Sequence, residues 1–282
     1  MSFHLFADDT SLFYSNKNID NLEETVNCEL AKISDWLIAN KLTLNVNKSN
    51  FMIIKPRQKK LPRNVNLSLN SETLEESDCV KYLGVLIDKN LTWKNHIKHV
   101  TTKVAKSIGI LSKIRHFAPK NVLINVFNAF ISPHINYGII NWGGAYPSSL
   151  DQLNKCLKKA ARIITFKPQN EPSKPILKEL NSLNLEDTYK LECAKFMFEL
   201  YKGNYNSLYS HLFQLTKNQH NINTRQAAAG KFCTPVVRTN YKKHFITYSG
   251  VKIWNTIPEN IRNSRQKKSF SKLYKKMLLN NY

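Results

Sequence analysis

Two adjacent carboxylates near the start of the chain, Asp8 and Asp9, are the residues whose type and spacing best suit catalysis. They interrupt two short apolar runs, residues 3–6 and 11–14, and an acidic break between apolar runs of strand length predicts a β-hairpin. Neighbouring carboxylates at a hairpin tip can point at one divalent cation, and hard oxygen ligands of this kind suit Mg²⁺. Asp-Asp is also ordinary turn chemistry, so the pair alone leaves both interpretations open.

The elements that must position this pair come directly after it in the chain. An amphipathic helix is predicted over residues 20–39, with Asp20 as its N-cap, Glu23 completing a capping box and Asn40 at its end. Its apolar stripe at helical spacing consists of Leu22, Val26, Leu30, Ile33 and Leu37.

Short strands are predicted after this helix. Alternation in residues 42–46 indicates a half-buried strand with residues 51–54 as its partner, and further strands are predicted within residues 65–69 and 80–87. Gly84 lies inside the last of these, where a glycine usually marks a bulge or a close backbone approach.

Helical periodicity dominates from residue 93 onwards. Helices are predicted over residues 93–111, 121–131 and 150–164, and their basic residues lie mainly off the apolar stripes. Prolines mark residues 169–175 as a linker, and two more helices are predicted over residues 185–202 and 208–216. The chain is therefore predicted to be α+β, with its strands in the first third.

The net charge indicates a polyanionic partner. The 282 residues include 42 Lys and Arg against 20 Asp and Glu, which gives a formal charge of +22. Basic side chains that neutralise phosphates release counterions, so nucleic acid is the expected partner. No run of about 18 apolar residues is available to span a bilayer, and we expect no membrane partner. The five cysteines form no Cys-x-x-Cys pair, which argues against a zinc knuckle or a disulfide framework.

Basic and aromatic residues are interleaved in the C-terminal segment, residues 242–282. Basic groups follow a nucleic-acid backbone while aromatic faces stack on unpaired bases. The alternative is that the aromatic residues form the core of a small helical module, and we favour the core for Trp254. Nucleic-acid contacts are favoured for Arg262, Arg265, Lys267 and Lys268. For the histidine pair His96 and His99 we expect a solvated or nucleic-acid-facing role rather than metal binding.

Four segments, in this order, resemble motifs of the reverse transcriptases of non-LTR (LINE-like, jockey-like) retrotransposons. Residues 6–9 look like the catalytic Tyr/Phe-Ala-Asp-Asp box, and residues 41–49 resemble the Leu-x-x-Asn-x-x-Lys-Thr/Ser motif that follows it. Residues 80–88 look like the primer-grip region. Residues 249–258 resemble the Gly-x-x-x-Trp-Asn-x-Leu-Pro signature that follows the thumb.

The resemblance implies an RNA-directed DNA polymerase (a nucleotidyltransferase) that extends a DNA primer on an RNA template by a two-metal mechanism with Mg²⁺. Asp8 and Asp9 would be the catalytic metal ligands, and Lys48 would act near the leaving group as a proton donor or counter-charge. A strand-edge lysine is the alternative for Lys48. Primer-grip contacts are implied for Tyr82, Leu83 and Gly84, and phosphate contacts for Lys98, Lys103 and Lys106.

The same resemblance divides the chain into three parts. These are a partial palm (1–95), a helical thumb (96–167) and a basic nucleic-acid-binding region (168–282). The implied partners are an RNA template with a DNA primer, or their hybrid, and deoxynucleoside triphosphates in a complete enzyme. The implied localisation is nuclear, cytoplasmic or both, and nothing in the sequence identifies a protein partner.

One departure from the family leads us to expect a C-terminal fragment that is inactive alone. The family's further metal-binding Asp and its fingers lie upstream of the catalytic box, and only five residues precede Phe6 here. Two alternatives remain open: a non-catalytic RNA- or DNA-binding protein co-opted from a truncated element, and the product of a pseudogene. An intact Asp8-Asp9 pair favours recent descent from an active element.

Overall fold

The chain combines helices with small sheets of two strands each, which agrees with the predicted α+β class. A computed structural model describes residues 1–7, 9–43, 45, 48–56, 58–70, 72–205, 209, 211–216, 230–239 and 241–282. The chain divides into two compact units, Met1–Leu91 and Thr92–Tyr282. Both predicted C-terminal parts, 96–167 and 168–282, lie within the second unit, and their assignment as thumb and basic region stays a prediction.

The first unit begins with the predicted hairpin. Strands β1 (Ser2–Phe6) and β2 (Asp9–Phe13) pair antiparallel, with Phe6 opposite Asp9 next to the turn. Ala7 has a φ of 54°, a left-handed conformation that is common in tight hairpin turns. Asp9 therefore belongs to a hairpin, as the apolar runs on either side predict, whereas Asp8 lies outside the described residues.

Helix α1 (Ile19–Ala39) follows, and its N-terminal cap differs from the predicted one. Asn18 is the N-cap, and its side-chain oxygen accepts a hydrogen bond from the Asp20 N–H at 2.8 Å. Asp20 and Glu23 instead bind the guanidinium of Arg63, at 2.7 and 2.5 Å. Asn18 has extended backbone dihedrals and so can cap, whereas Asp20 is already helical. The predicted end at Asn40 is confirmed.

The remaining strands of the first unit are short. Strand β3 (Asn50–Phe51) pairs in parallel with β6 (Glu75–Glu76), and β4 (Ser68–Leu69) pairs antiparallel with β5 (Glu72–Thr73). The predicted pairing of residues 51–54 with 42–46 is therefore wrong for Phe51; Leu44 and Val46 lie outside the described residues. A small core packs α1 against these strands and is formed by Val26, Leu30, Val65, Leu67, Leu69 and Leu74.

The first unit ends in a second hairpin. Strands β7 (Cys79–Tyr82) and β8 (Val85–Asp88) pair antiparallel with Tyr82 opposite Val85. The chain thus reverses at Leu83-Gly84, where a nearly continuous strand was predicted. The run of residues 80–87 gave no sign of the reversal because both strands of the hairpin are largely apolar.

Apart from one β-bridge between Leu215 and Phe232, the regular structure of the described part of the second unit is helical. Its helices are α2 (Lys94–Ile114), α3 (Lys120–Phe130), α4 (Ser132–Asn136), α5 (Ile139–Trp142), α6 (Pro147–Thr165), α7 (Ser173–Glu179), α8 (Leu185–Tyr201), α9 (Ile246–Thr256), α10 (Glu259–Arg262) and α11 (Lys267–Leu279), with a 3₁₀ turn at Tyr241–His244. No helix within the described ranges is long and apolar enough to cross a bilayer. Three of these helices, α2, α3 and α6, match those predicted for residues 93–164.

Two predictions for the middle of the second unit are wrong. The proline-marked stretch 169–175 ends in helix α7, which includes Pro175, and it lies inside one compact unit. Segment 208–216 forms no α-helix where it is described, and Leu215 instead forms a β-bridge with Phe232. Residues 208 and 210 lie outside the described residues.

Two apolar clusters form the core of the second unit. The first surrounds Trp142 and joins α2–α6 to the start of α8, and the second surrounds Trp254 and joins the rest of α8 to α9–α11. Both tryptophans are fully buried. The expectation that Trp254 belongs to the core is therefore confirmed.

His96 is buried, with 3% of its surface exposed, where a solvated or nucleic-acid-facing side chain was expected. Its ring meets the ring of Trp142 edge-on, with 5.5 Å between the centroids. Burial, with smaller contributions from His99 and Lys103, lowers the pKa of His96 to about 4. The residue shares the apolar stripe of α2 with Ile97 and Val100, so its position on the helix decides its burial.

This lowered pKa predicts an acid-sensitive fold. The unfolded chain binds a proton on His96 near pH 6.5 and the folded chain only near pH 4, so the free energy of unfolding falls as the pH drops between these values. The total loss is up to about 3 kcal/mol. Urea unfolding at pH 7, 6, 5 and 4.5 should show a smaller pH dependence in His96→Leu than in wild type. The control is His99→Gln, which changes an exposed histidine of the same helix; an unchanged dependence in His96→Leu would contradict the assignment.

Candidate functional site

The acidic hairpin places Asp9 at the first residue of β2, exposed to solvent. Asp8, the other predicted catalytic residue, lies outside the described residues. In the ranges that the structure describes, no three His, Cys, Asp or Glu side chains form a group that could hold a metal ion. The carboxylate of Asp9 suits Mg²⁺ in kind, but the described residues do not provide a complete metal site.

Lys48 lies in a turn rather than at a strand edge. Its N–H donates to the backbone oxygen of Asn45 at 3.1 Å and to the Asn45 side-chain oxygen at 3.2 Å. The side chain of Lys48 is exposed. Its predicted role near a leaving group stays a prediction.

The primer-grip-like residues form the tight turn between β7 and β8. Leu83 and Gly84 have φ values of 44° and 80°, and positive φ at both central residues is the mark of a type I′ hairpin turn. Gly84 therefore provides a chain reversal, not the bulge that its place in an apolar run suggested. Leu83 takes a left-handed conformation that favours Gly, Asn or Asp.

An aromatic contact brings this turn to the acidic hairpin. The ring of Tyr82 meets the ring of Phe13 edge-on, with centroids 6.3 Å apart. Phe13 is the last residue of β2, four residues and about 13 Å along the strand from Asp9. The first unit thus holds two of the predicted site segments in one neighbourhood, although Tyr82 and Asp9 are not in direct contact.

The three lysines predicted on the first helix of the second unit are exposed. Lys98, Lys103 and Lys106 lie on α2, opposite the buried stripe that includes Val104 and Leu111. This arrangement leaves all three side chains in solvent, where they can reach a phosphate. Whether they contact nucleic acid stays a prediction.

The C-terminal basic residues divide into two groups. Arg265, Lys267 and Lys268 are exposed, and Lys267 forms an ion pair with Glu199 at 3.3 Å. Arg262 is only 4% exposed, and burial lowers the pKa of its guanidinium. The expectation that Arg262 faces nucleic acid is therefore corrected: helix α10 turns this residue into the protein together with Ile261.

The aromatic residues of the C-terminal segment are mostly structural. Phe270 stacks on Phe198 with centroids 4.6 Å apart, and Tyr274 is buried beside it. The indole N–H of Trp254 donates to the backbone oxygen of Gly230 at 3.1 Å. These rings are committed to the core, so they are not free to stack on bases as the interleaved pattern suggested.

Sequence reasoning missed a group of basic residues around helix α6. A cavity of about 490 Å³ is lined by six of them, which we call the basic cavity: Arg115, Lys155, Lys158, Lys159, Arg162 and Lys167. Four of the six follow i, i+3, i+4, i+7 spacing on α6, opposite its apolar stripe. That spacing was present in the sequence and could have found them.

Comparison with known proteins confirms the resemblance to retrotransposon polymerases. The chain is 26% identical over 164 residues to the "Probable RNA-directed DNA polymerase from transposon X-element" of Drosophila melanogaster, covering 57% of this chain and 18% of that protein. It is 25% identical over 204 residues to the "RNA-directed DNA polymerase from mobile element jockey" of the same species, covering 69% and 21%. A third relative, from transposon BS, is 24% identical over 68% of this chain and 21% of its own length.

The matched region is a small part of each relative. The chain spans about a fifth of the length of the curated relatives it matches. No protein-family model matches the chain. No solved structure matches it either.

The turn at Leu83-Gly84 provides a test of the site geometry. Gly84→Ala places a Cβ on a residue with a φ of 80°, so the free energy of unfolding of the first unit should fall by about 1 kcal/mol. Leu83→Asn is the matched variant and should cost less, because Asn tolerates positive φ. Urea denaturation followed by far-UV circular dichroism measures both. Equal stability of Gly84→Ala and wild type would contradict a type I′ turn.

Proposed function

We propose that residues 1–282 form part of the RNA-directed DNA polymerase of a non-LTR retrotransposon. The first unit would contribute half of a palm and the second a helical thumb followed by a basic region. The observation that carries the proposal is the Phe13–Tyr82 contact, which holds the primer-grip-like turn beside the acidic hairpin. The similarity to the jockey, X-element and BS polymerases supports it.

The proposed partner of this part is an RNA template paired with a DNA primer. Exposed lysines on α2 would contact the phosphates of the hybrid, and the turn at Leu83-Gly84 would lie near the primer terminus. Asp8 and Asp9 would contribute to the catalytic centre, with deoxynucleoside triphosphate as the second substrate. Lys48 would supply positive charge near the leaving pyrophosphate.

The 282-residue chain alone is proposed to bind nucleic acid without extending a primer. A two-metal centre needs ligands that hold both ions against the attacking and leaving oxygens, and the resemblance assigns one of these ligands to an aspartate that no residue before Phe6 matches. Positioning of the nucleotide contributes several kcal/mol of barrier lowering, and the fingers that provide it in the family have no counterpart among residues 1–282.

Primer extension by the purified chain tests the catalytic half of the proposal. With a primed RNA template, Mg²⁺ and all four deoxynucleoside triphosphates, the wild-type chain should give no extension above that of Asp8→Asn or Asp9→Asn. Template-dependent extension that disappears in Asp8→Asn would show that residues 1–282 are a sufficient polymerase.

A salt titration tests the binding half. Binding of a fluorescent RNA–DNA hybrid should weaken steeply with salt. The triple variant Lys98→Gln/Lys103→Gln/Lys106→Gln should reduce the slope of log K against log[salt] by about 2 to 3, at about 0.9 per lost phosphate contact. The matched control is Lys17→Gln/Lys60→Gln/Lys272→Gln, which removes the same charge from exposed lysines elsewhere. A flat salt dependence of the wild-type chain would contradict nucleic-acid binding altogether.

The second candidate is a non-catalytic binding protein derived from such an element. The exposed lysines of the second unit favour it, since they are available for binding whether or not the acidic hairpin is functional. Binding without extension in the isolated chain agrees with both candidates. Extension after residues 1–282 are joined to the preceding part of a related polymerase, lost again in Asp9→Asn, would favour the enzyme.

A further inference from the structure

The basic cavity lies at the C-terminal end of α2, along one face of α6 and beside the residues that follow α6. Its six basic residues are partly balanced by two carboxylates. Lys155 pairs with Asp151 at 2.7 Å, and Lys167 pairs with Glu171 at 3.0 Å. The cavity therefore retains a strong positive charge, and its concave shape concentrates the field of that charge.

Several donors in the cavity are available to a ligand. Within the described part of the chain, Lys158 and Lys159 form no ion pair. The Nε of Arg162 is buried, and no hydrogen-bond partner for it lies among the described residues. One Nη of the same guanidinium donates to the Glu171 backbone oxygen at 2.8 Å, which fixes the orientation of the group. A buried donor without a partner is costly, and the negative charge of an anion in the cavity would offset part of that cost through its attraction to the guanidinium.

An aromatic residue in a strained conformation stands at the end of the same helix. Phe166 is the C-cap of α6 and has a φ of 59° and a ψ of 25°, a conformation that Gly usually supplies at helix ends. Its ring lies 4.8 Å from the guanidinium carbon of Arg115 and is 50% exposed. A phenylalanine here costs backbone strain and presents a flat apolar face beside the cations.

A second exposed ring follows Arg115 closely in the chain. Phe117 is 90% exposed, two residues beyond Arg115. Cations in a groove, together with aromatic faces open to solvent, are the composition of sites for unpaired nucleic acid. In a duplex the base faces are hidden by stacking, so exposed rings gain a partner only from an unpaired strand.

We propose that the basic cavity binds backbone phosphates of a single nucleic-acid strand while Phe166 and Phe117 stack on its bases. Lys158, Lys159 and Arg162 contact the phosphates, and Arg115 holds the ring of Phe166 in place. The site extends the proposed function, on which its choice of nucleic acid rests. It is separate from the lysines of α2 that are assigned to the hybrid, and it gives the second unit a place for unpaired template or primer.

The phosphate contacts are tested by fluorescence anisotropy with fluorescein-labelled single strands of 15 nucleotides, oligo(dT) and oligo(rU). The double variant Lys158→Gln/Lys159→Gln should weaken binding of both strands about tenfold. It should also reduce the slope of log K against log[salt] by about 1.4, at about 0.7 per phosphate contact. Lys272→Gln/Lys276→Gln removes the same charge from exposed lysines of α11 and should weaken binding less than about threefold. Equal effects of the two pairs would overturn the site.

The stacking contact is tested by Phe166→Gly. Glycine suits the left-handed C-cap, so the variant should fold at least as stably as wild type, yet it should bind oligo(dT) about tenfold more weakly. Wild type and variant should bind an abasic strand of the same length equally. Unchanged affinity for oligo(dT) in Phe166→Gly would overturn the stacking role.

Two parallel measurements distinguish the possible failures. If wild type binds the RNA–DNA hybrid but neither single strand, the cavity proposal is wrong while the proposed function stands; if it binds no nucleic acid, both are wrong. Sedimentation with vesicles of phosphatidylcholine and phosphatidylserine probes the competing anionic surface. Vesicle binding that is lost in Lys158→Gln/Lys159→Gln, without strand binding by wild type, would assign the cavity to lipid headgroups and overturn the proposal.

Discussion

Burial of helix α8 on both of its sides is the constraint on which the second unit depends. One side of α8 packs into the cluster around Trp142 through Leu185, Tyr189 and Cys193. The other side packs into the cluster around Trp254, and the residues that do so are Leu191, Ala194, Met197 and Phe198. Because α8 carries apolar residues on two sides, both sides must be covered, so α8 fixes the helices before and after it in one framework. Because α2 and α6 bury their apolar stripes in the first of these clusters, their lysines are left facing solvent, where the proposed nucleic-acid contacts lie.

The approach to α8 is close enough to require small residues. A Cβ on Gly144 would lie 2.8 Å from the hydroxyl of Tyr189, and that hydroxyl shares a hydrogen bond of 2.7 Å with Ser249 of α9. Tyr189 thereby links the segment after α5 with α9, whose Ser249 lies sixty residues beyond Tyr189. Cys193, one turn beyond Tyr189, is fully buried in the same cluster, and burial raises the pKa of its thiol to about 12. This thiol therefore stays neutral and acts as a packing residue.

The sequence predicted those elements whose signal is local. Helices α1, α2, α3 and α6 each carry an apolar stripe at helical spacing, and their observed bounds, like those of α8, lie within a few residues of the predicted ones. The β1–β2 hairpin was predicted for the same reason, since two apolar runs and an acidic break are contiguous. Exposure of Lys98, Lys103 and Lys106 follows from the stripe on α2 as well, because residues off the stripe face solvent. The exposure of a candidate site residue could thus be predicted wherever helical periodicity decides which way its side chain points.

What the sequence could not predict depends on partners distant in the chain. Phe51 pairs with Glu76 instead of with the strand predicted for residues 42–46. Asp20 binds Arg63 instead of capping its own helix. Arg262 and His96 are polar residues that tertiary packing buries, against the general tendency of their types. The contact between Phe13 and Tyr82, on which the candidate site rests, joins residues separated by most of the first unit. No local pattern contains that information.

The β1–β2 hairpin has one more consequence, for the behaviour of the purified chain. Among the described strands, each of these two pairs only with the other, and their exposed side chains include Phe3, Leu5 and Phe6. The outer edge of each strand therefore retains unused backbone donors and acceptors beside apolar side chains, which is the template on which strands of different molecules add to one another. Concentration-dependent β-aggregation of this chain should accordingly begin at its first thirteen residues. A single charged substitution on the strand, Phe3→Lys or Leu5→Lys, should suppress it.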